Sequence, residues 1–171
     1  VTGPDGETII LDAGSGIRAL GTTLDQPERV DILLTHLHMD HIQGLGFFPP
    51  IYDPNVETHI WGPVSTTMDL GARLRRYLSP PLFPVRLREL PRVILHDVAP
   101  CDFEVGSVRI TTDLVIHPGP TLGYRLTVGD TVLAYVPDHE PALSDRSFPC
   151  DSKWTSGFGL MQGADVLIHD A

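Results

Sequence analysis

The chain has 171 residues, of which 42% are apolar and 20% charged, and a net charge of −10. That length suits one domain able to bury a real core, and no apolar run approaches the ~20 residues that span a bilayer. The acidic balance disfavours broad electrostatic binding to nucleic acid, and the two cysteines, Cys101 and Cys150, lack CxxC spacing and read as thiols of a reducing, cytoplasmic compartment. No secretory leader pattern opens the chain; it starts at Val1 rather than Met, which leaves a removed N-terminus open.

In chain order, the pattern predicts a strand over Glu7–Leu11 after a Pro4-Asp5-Gly6 turn, then a short helix from Ile17 to about Leu24. A buried strand follows over Val30–Leu34, and a helix over His41–Phe48 stopped by Pro49-Pro50. Thr58–Trp61 reads as a strand, and Thr66–Leu78 as a helix with Ser65 as its N-cap. Short strands are expected at Val93–Leu95, Phe103–Val105, Val108–Thr111 and Leu114–Ile116. Gly123–Val128 and Val132–Val136 form a hairpin over Gly129-Asp130, 141–160 reads as a loop or insert, and Val166–Ile168 as a last buried strand. The hairpins imply antiparallel pairs, so two packed sheets with helices outside suit the pattern better than a simple parallel fold.

The most informative stretch is Thr35-His36-Leu37-His38-Met39-Asp40-His41, directly after Ile32-Leu33-Leu34. Imidazole and carboxylate suit zinc and related divalent metals. In extended backbone, side chains at i and i+2 point to one side, so His36 and His38 can converge on one ion while Asp40 and His41 face a second. Three more apolar strands deliver a histidine or aspartate at their C-terminal ends: His117 before Pro118-Gly119-Pro120, Asp138 after Pro137, and His169 before Asp170. Such placement is how rigid scaffolds present chemistry on loops. Asp12 reads either as a residue orienting a ligand or as a turn cap. His139 reads either as supporting a ligand or as exposed, and His59 and His96 as structural or surface residues. Arg73, Arg75, Arg76, Arg86 and Arg88 form a basic patch, read as a solvated face in preference to a phosphate-steering surface.

With these residues in place, the sequence resembles the metallo-β-lactamase-fold superfamily, whose HxHxDH signature stands as His36-Leu37-His38-Met39-Asp40-His41 and whose first motif is matched by Leu11-Asp12-Ala13-Gly14. It is more similar to the branch holding ribonuclease Z and the cyclic-phosphate phosphodiesterases. The features that say so are Asp40 in the signature, the turn Pro137-Asp138-His139-Glu140-Pro141, and the segment Ala164–Ala171 with its His169. The resemblance implies a mixed α/β, four-layer αββα sandwich over 1–171, expected to be one domain incomplete at both ends. The branch carries a further second-ion histidine past the segment matching 164–171, and a strand before residue 7. It also implies two divalent metal ions, zinc by default with manganese or iron open. His36, His38 and His117 would hold one ion, Asp40 and His41 the other, and Asp138 would bridge. Asp40 and His169 take the catalytic roles, His169 as proton donor to the leaving group.

The expected activity is binuclear phosphodiester hydrolysis by metal-activated hydroxide. About twenty residues separate His117 from Asp138, too few for the long arm of some tRNA-processing relatives. A small or medium phosphodiester is therefore expected, without a membrane partner, and with nucleic acid disfavoured rather than ruled out. Two readings compete: a lactonase or β-lactamase attacking a carbonyl on the same fold, and a catalytically silent binding domain.

Overall fold

The computed structural model describes residues 1–140 and 152–169. Within them, two sheets pack face to face. The first has the order β1 (Ile9–Leu11), β2 (Arg29–Leu33), β3 (Glu57–Pro63), β4 (Val93–Val98), all parallel. Parallel neighbours need crossovers, and α1 (Ile17–Thr23), α2 (Met39–Ile42) and α3 (Leu70–Tyr77) lie in the three connections. The second sheet has the order β5 (Asp102–Val105), β6 (Val108–Leu114), β7 (Leu122–Val128), β8 (Thr131–Val136), β9 (Val166–His169). Its first four strands are antiparallel; tight turns in which Gly106 (φ 58°) and Gly129 (φ 55°) take left-handed backbone join β5 to β6 and β7 to β8, and the longer segment 115–121 joins β6 to β7. β9 joins β8 in parallel, after α4 (Phe158–Met161).

The alternation of side chains along each strand sorts the core into layers. One face of the first sheet (Ile10, Val30, Ile32, Ile60) packs on Ile17 of α1, on Leu70 and Leu74 of α3, and on Leu45, Phe48 and Phe83. Its other face (Ile9, Leu33, Val98) meets Val105, Val108, Ile110, Tyr124 and Leu126 across the sandwich. Behind the second sheet, Leu160 of α4 covers Val115 and Val136. The order is helix, sheet, sheet, helix, as expected for the mixed α/β sandwich.

Several element boundaries differ from expectation. The helix expected over His41–Phe48 is a single turn, Met39–Ile42, followed by 3₁₀ turns at Leu45–Phe47 and Pro49–Tyr52; Gly44 and Gly46 break the helical run, and Pro49 starts a new turn rather than ending one. The helix expected from Thr66 begins at Leu70. Its cap is Asp69, whose carboxylate accepts the Ala72 amide at 2.5 Å, and Ser65 bonds only within its own turn. Residues 108–114 form one strand, and Leu87–Glu89 is a 3₁₀ turn where irregular chain was expected. The last strand is exposed rather than buried, with Val166, Leu167 and Ile168 at 45–49%; among the described residues it is an edge strand of its sheet. Of the expected insert, 141–151 lies outside the described residues; its remainder holds a 3₁₀ turn at Ser152–Trp154 and α4. Cys150 and Asp170 also lie outside them.

Candidate metal centre

β2 ends at Leu33, and the next residues run along the rim of the sandwich. Two hydrogen bonds from the second sheet fix that rim: the Tyr124 hydroxyl donates to Leu34 O at 2.7 Å, and the Leu122 amide donates to Thr35 O at 2.9 Å. The 12–14 loop lies against α2, with Ala13 N–H donating to His41 O (2.7 Å) and Gly44 N–H to Ala13 O (2.8 Å). This approach requires glycine: a Cβ on Gly14 would sit 2.7 Å from Asp40 O, and one on Gly44 2.1 Å from Gly14 O. The Leu-Asp-Ala-Gly sequence is thus a packing requirement of the site.

The structure gathers His36, His38 and His117 into one group, with ligating atoms all within 4.8 Å, and His36, His41 and Asp138 into another. His36 Nε2 lies 2.8 Å from His38 Nδ1, and His117 Nε2 lies 3.1 Å from the same atom. The rings are inclined (80° between His36 and His38, 67° between His38 and His117), so their nitrogens converge on one point. His41 Nε2 is 2.6 Å from Asp138 Oδ2. Asp40 turns outward, 71% exposed, with Oδ2 3.4 Å from His41 Nε2, and stands at the edge of the cluster rather than within either group.

The far side of three imidazoles is held. His41 Nδ1–H donates to Asp12 Oδ2 at 2.8 Å, His117 Nδ1–H to Glu140 Oε1 at 3.0 Å, and His36 Nδ1–H to Thr35 Oγ1 at 3.1 Å. In each case Nε2 is the nitrogen turned into the cluster, the arrangement in which an outer carboxylate or hydroxyl orients a metal-binding histidine. Buried Asp12 accepts two further hydroxyls, from Thr35 (2.9 Å) and Tyr135 (2.8 Å), and the Thr35 amide (2.7 Å). Asp12 therefore orients the site as well as closing its turn.

The local environment shifts two of the rings in opposite directions. Burial, reinforced by the neighbouring His41 and His38 rings, pushes His36 down to about 4, so its imidazole is neutral near pH 7. His41 is raised, first by its hydrogen bond to Asp12 and then by the charges of Asp12, Asp138 and Asp40. Among the described residues, two of the three non-glycine residues with positive φ, Asp12 (58°) and Asp138 (50°), carry carboxylates of this centre, as backbone strain does at functional sites. The fit to divalent cations thus rests on imidazoles whose nitrogens converge beside carboxylates.

His169 is not in the cluster. It pairs with His139, which is buried rather than exposed; burial, then the facing His169 ring, lowers the His139 pKa. His59 and His96 lie elsewhere, on β3 and β4, as expected of structural residues. The sequence pattern assigns no role to Thr35, Tyr135, Glu140 or Ser156. Glu140 carried a signal as a carboxylate two residues from Asp138, and Thr35 as the hydroxyl beside His36; Tyr135 and Ser156 are brought in by segments distant in the chain. Arg73 and Arg86 of the basic patch are paired with Asp97 and Glu89.

A family profile described as "Beta-lactamase superfamily domain" matches residues 7–171. The chain is 30% identical over 138 residues to a ribonuclease Z of Thermococcus gammatolerans, covering 78% of this chain and 41% of that protein. It is 28% identical over 170 residues to an uncharacterized protein of Mycobacterium leprae, covering 89% of this chain and 57% of that protein. The chain therefore spans about half the length of these curated relatives. Among solved structures it is similar to a diphosphatase of the PhnP family (TM-score 0.61, 21% identity, 95% of this chain and 55% of that one). It is also similar to the short form of human tRNase Z (TM-score 0.56, 21% identity, 96% and 67%). These two likenesses concern the fold.

Proposed function

Because the chain belongs to the β-lactamase superfamily, matched over 7–171, we propose that it is a metal-dependent hydrolase of phosphodiesters acting through a two-ion centre. The observation that carries this reading is the sharing of His36 and the placing of Asp138: one group of donors is His36, His38 and His117, the other His36, His41 and Asp138. His36, His38 and His117 would hold a first ion; His41 and Asp138 would hold a second, joined by Asp40 if its exposed carboxylate turned inward. Zinc is the default for these ligands, with manganese and iron open. Bound there, the ions supply Lewis acidity and make hydroxide available near neutral pH.

The chain's own residues do the rest. Asp12, Thr35 and Glu140 keep the imidazoles in one tautomer and orientation. Asp40, the exposed carboxylate at the edge of the cluster, is the one open to a substrate from solvent. His169 is the general acid, giving a proton to the oxygen that leaves phosphorus. A small or medium phosphodiester fits the acidic chain; its ribonuclease Z relatives make an RNA diester the substrate to test beside it.

Full-length protein loaded with zinc or manganese is expected to hydrolyse bis(p-nitrophenyl) phosphate and to lose that activity to a chelator. A lactone, a cephalosporin and a precursor tRNA are assayed in parallel. Turnover of the lactone or cephalosporin with no diester turnover overturns the reading. Inertness toward all four, with less than one ion bound per chain, favours a silent binding domain.

A further inference from the structure

Resting on the reading of His169 as the acid, we infer that His139, backed by Ser156, is the positioning residue that decides which nitrogen of His169 delivers the proton. His139 Nδ1 lies 3.1 Å from His169 Nε2 while the ring centres are 5.4 Å apart. The two nitrogens therefore face each other along the line joining the rings, the geometry of one shared hydrogen bond rather than of a side contact. On its other side, His139 Nε2 is 2.9 Å from Ser156 Oγ, and that oxygen also accepts the Ile116 amide at 3.0 Å. A buried ring bonded at both nitrogens thus holds an exposed one.

The polarity of this line follows from the acid's needs. An imidazolium has two N–H groups and no acceptor. When His169 carries its proton, the Nε2–H needs an acceptor, and His139 Nδ1 is the one in line. The proton of neutral His139 is then on Nε2, donated to Ser156 Oγ. The transferable proton is left on His169 Nδ1. As the bond from phosphorus to the leaving oxygen breaks, its electron pair stays on that oxygen, which takes the Nδ1 proton. His169 ends neutral, still donating from Nε2 to His139. The same residues tie this line to the metal ligands: the Glu140 amide donates to Ile116 O at 2.8 Å, next to His117, while Asp138 precedes His139. A change in the relay therefore reads out separately from metal binding only if ion content is measured alongside.

The test uses full-length, metal-loaded enzyme and two diesters, one with a p-nitrophenolate leaving group and one with an alkoxide, which needs protonation far more. His169→Ala should lose about 100-fold or more in kcat on the alkyl diester and much less on the nitrophenyl diester. His139→Ala should show the same selectivity, on the order of 10-fold, with KM and ion content unchanged. His139→Gln, whose side-chain oxygen can accept from His169, should recover part of the loss. The double variant should be no slower than His169→Ala alone. Independently, nitrogen-15 NMR of the imidazoles should find neutral His169 protonated at Nε2 in the wild type and mixed between tautomers in His139→Ala. Equal losses on both diesters, an additive double variant or an unchanged tautomer overturns the inference. If His169→Ala itself shows no leaving-group selectivity, the acid reading fails, while the NMR result still judges the hydrogen bond.

Discussion

Two clusters in this molecule are built from the same side-chain types and are arranged for different ends. At the rim, His36, His38, His41 and His117 stand among Asp12, Asp40, Asp138 and Glu140. On the face of β3 and β4, His59 and His96 stand among Glu57, Asp31, Arg29 and Arg92. In the second cluster each group is satisfied by a neighbour: Arg92 donates to Glu57 (2.6 Å), His59 Nε2–H donates to Glu57 (2.7 Å), and His59 Nδ1 faces His96 Nε2 at 2.9 Å. Those two rings are nearly parallel (10°) with centres 5.1 Å apart, so nitrogen meets nitrogen head-on, with room for a proton. His96 rests on Trp61, whose indole N–H donates to Asp31, and Arg29 closes the line on the same carboxylate. In the rim cluster the rings are inclined, and their free nitrogens aim at common points. Composition does not distinguish a metal centre from a structural polar network; the direction of the lone pairs does.

The largest effect expected from this contrast is on activity. Asp138→Ala removes the carboxylate that groups with His36 and His41, and diester hydrolysis should fall on the order of 100-fold or more, while His96→Gln should leave kcat near the wild-type value. Comparable losses in both would break the distinction.

Ion content sharpens it next. Elemental analysis should find at least one ion fewer per chain in a His38→Ala, His117→Ala double variant and no change in His59→Gln or His96→Gln. An ion lost from either of the latter would make the second cluster a binding site too.

A smaller effect concerns the outer partners. Glu140→Gln keeps size and one acceptor but removes the charge behind His117, and metal affinity measured by competition with a chelator should weaken about 10-fold to 100-fold. The corresponding change behind the structural pair, Glu57→Gln, should not alter metal affinity.

The smallest effect is on stability against pH. His96 is lowered from 6.5, by burial first and then by His59. The unfolded chain therefore takes up a proton as pH falls through about 6.5 that the folded chain resists, and folded stability declines in that direction. The drop in Tm between pH 7 and pH 5, measured on metal-free protein, should be shallower in His96→Gln than in the wild type. An identical slope would mean that the pair carries no linkage.

The fold was legible in the sequence because strands of this kind announce themselves: apolar runs bounded by Gly and Pro, and a hairpin over Gly129-Asp130. Helix boundaries were less legible. Ser65 and Asp69 are both acceptable caps, and the choice fell to Asp69 because α3 must start where Leu70 and Leu74 reach the core. The His36–His41 motif was legible because six residues held it all. Most of its supporting groups were not, since Tyr135, Glu140 and Ser156 matter through contacts that chain separation hides, such as Tyr135 to Asp12 across 123 positions.

By itself, then, the sequence determined which side chains stand at the ends of strands, because alternation and turn chemistry are local. It also determined that Gly14 and Gly44 are small. Only the tertiary structure decided which histidines converge, which pair head-on, and that Asp40 turns outward while His139 is buried behind His169. A lone pair's direction depends on the packing of strands distant in the chain, and no local pattern encodes that.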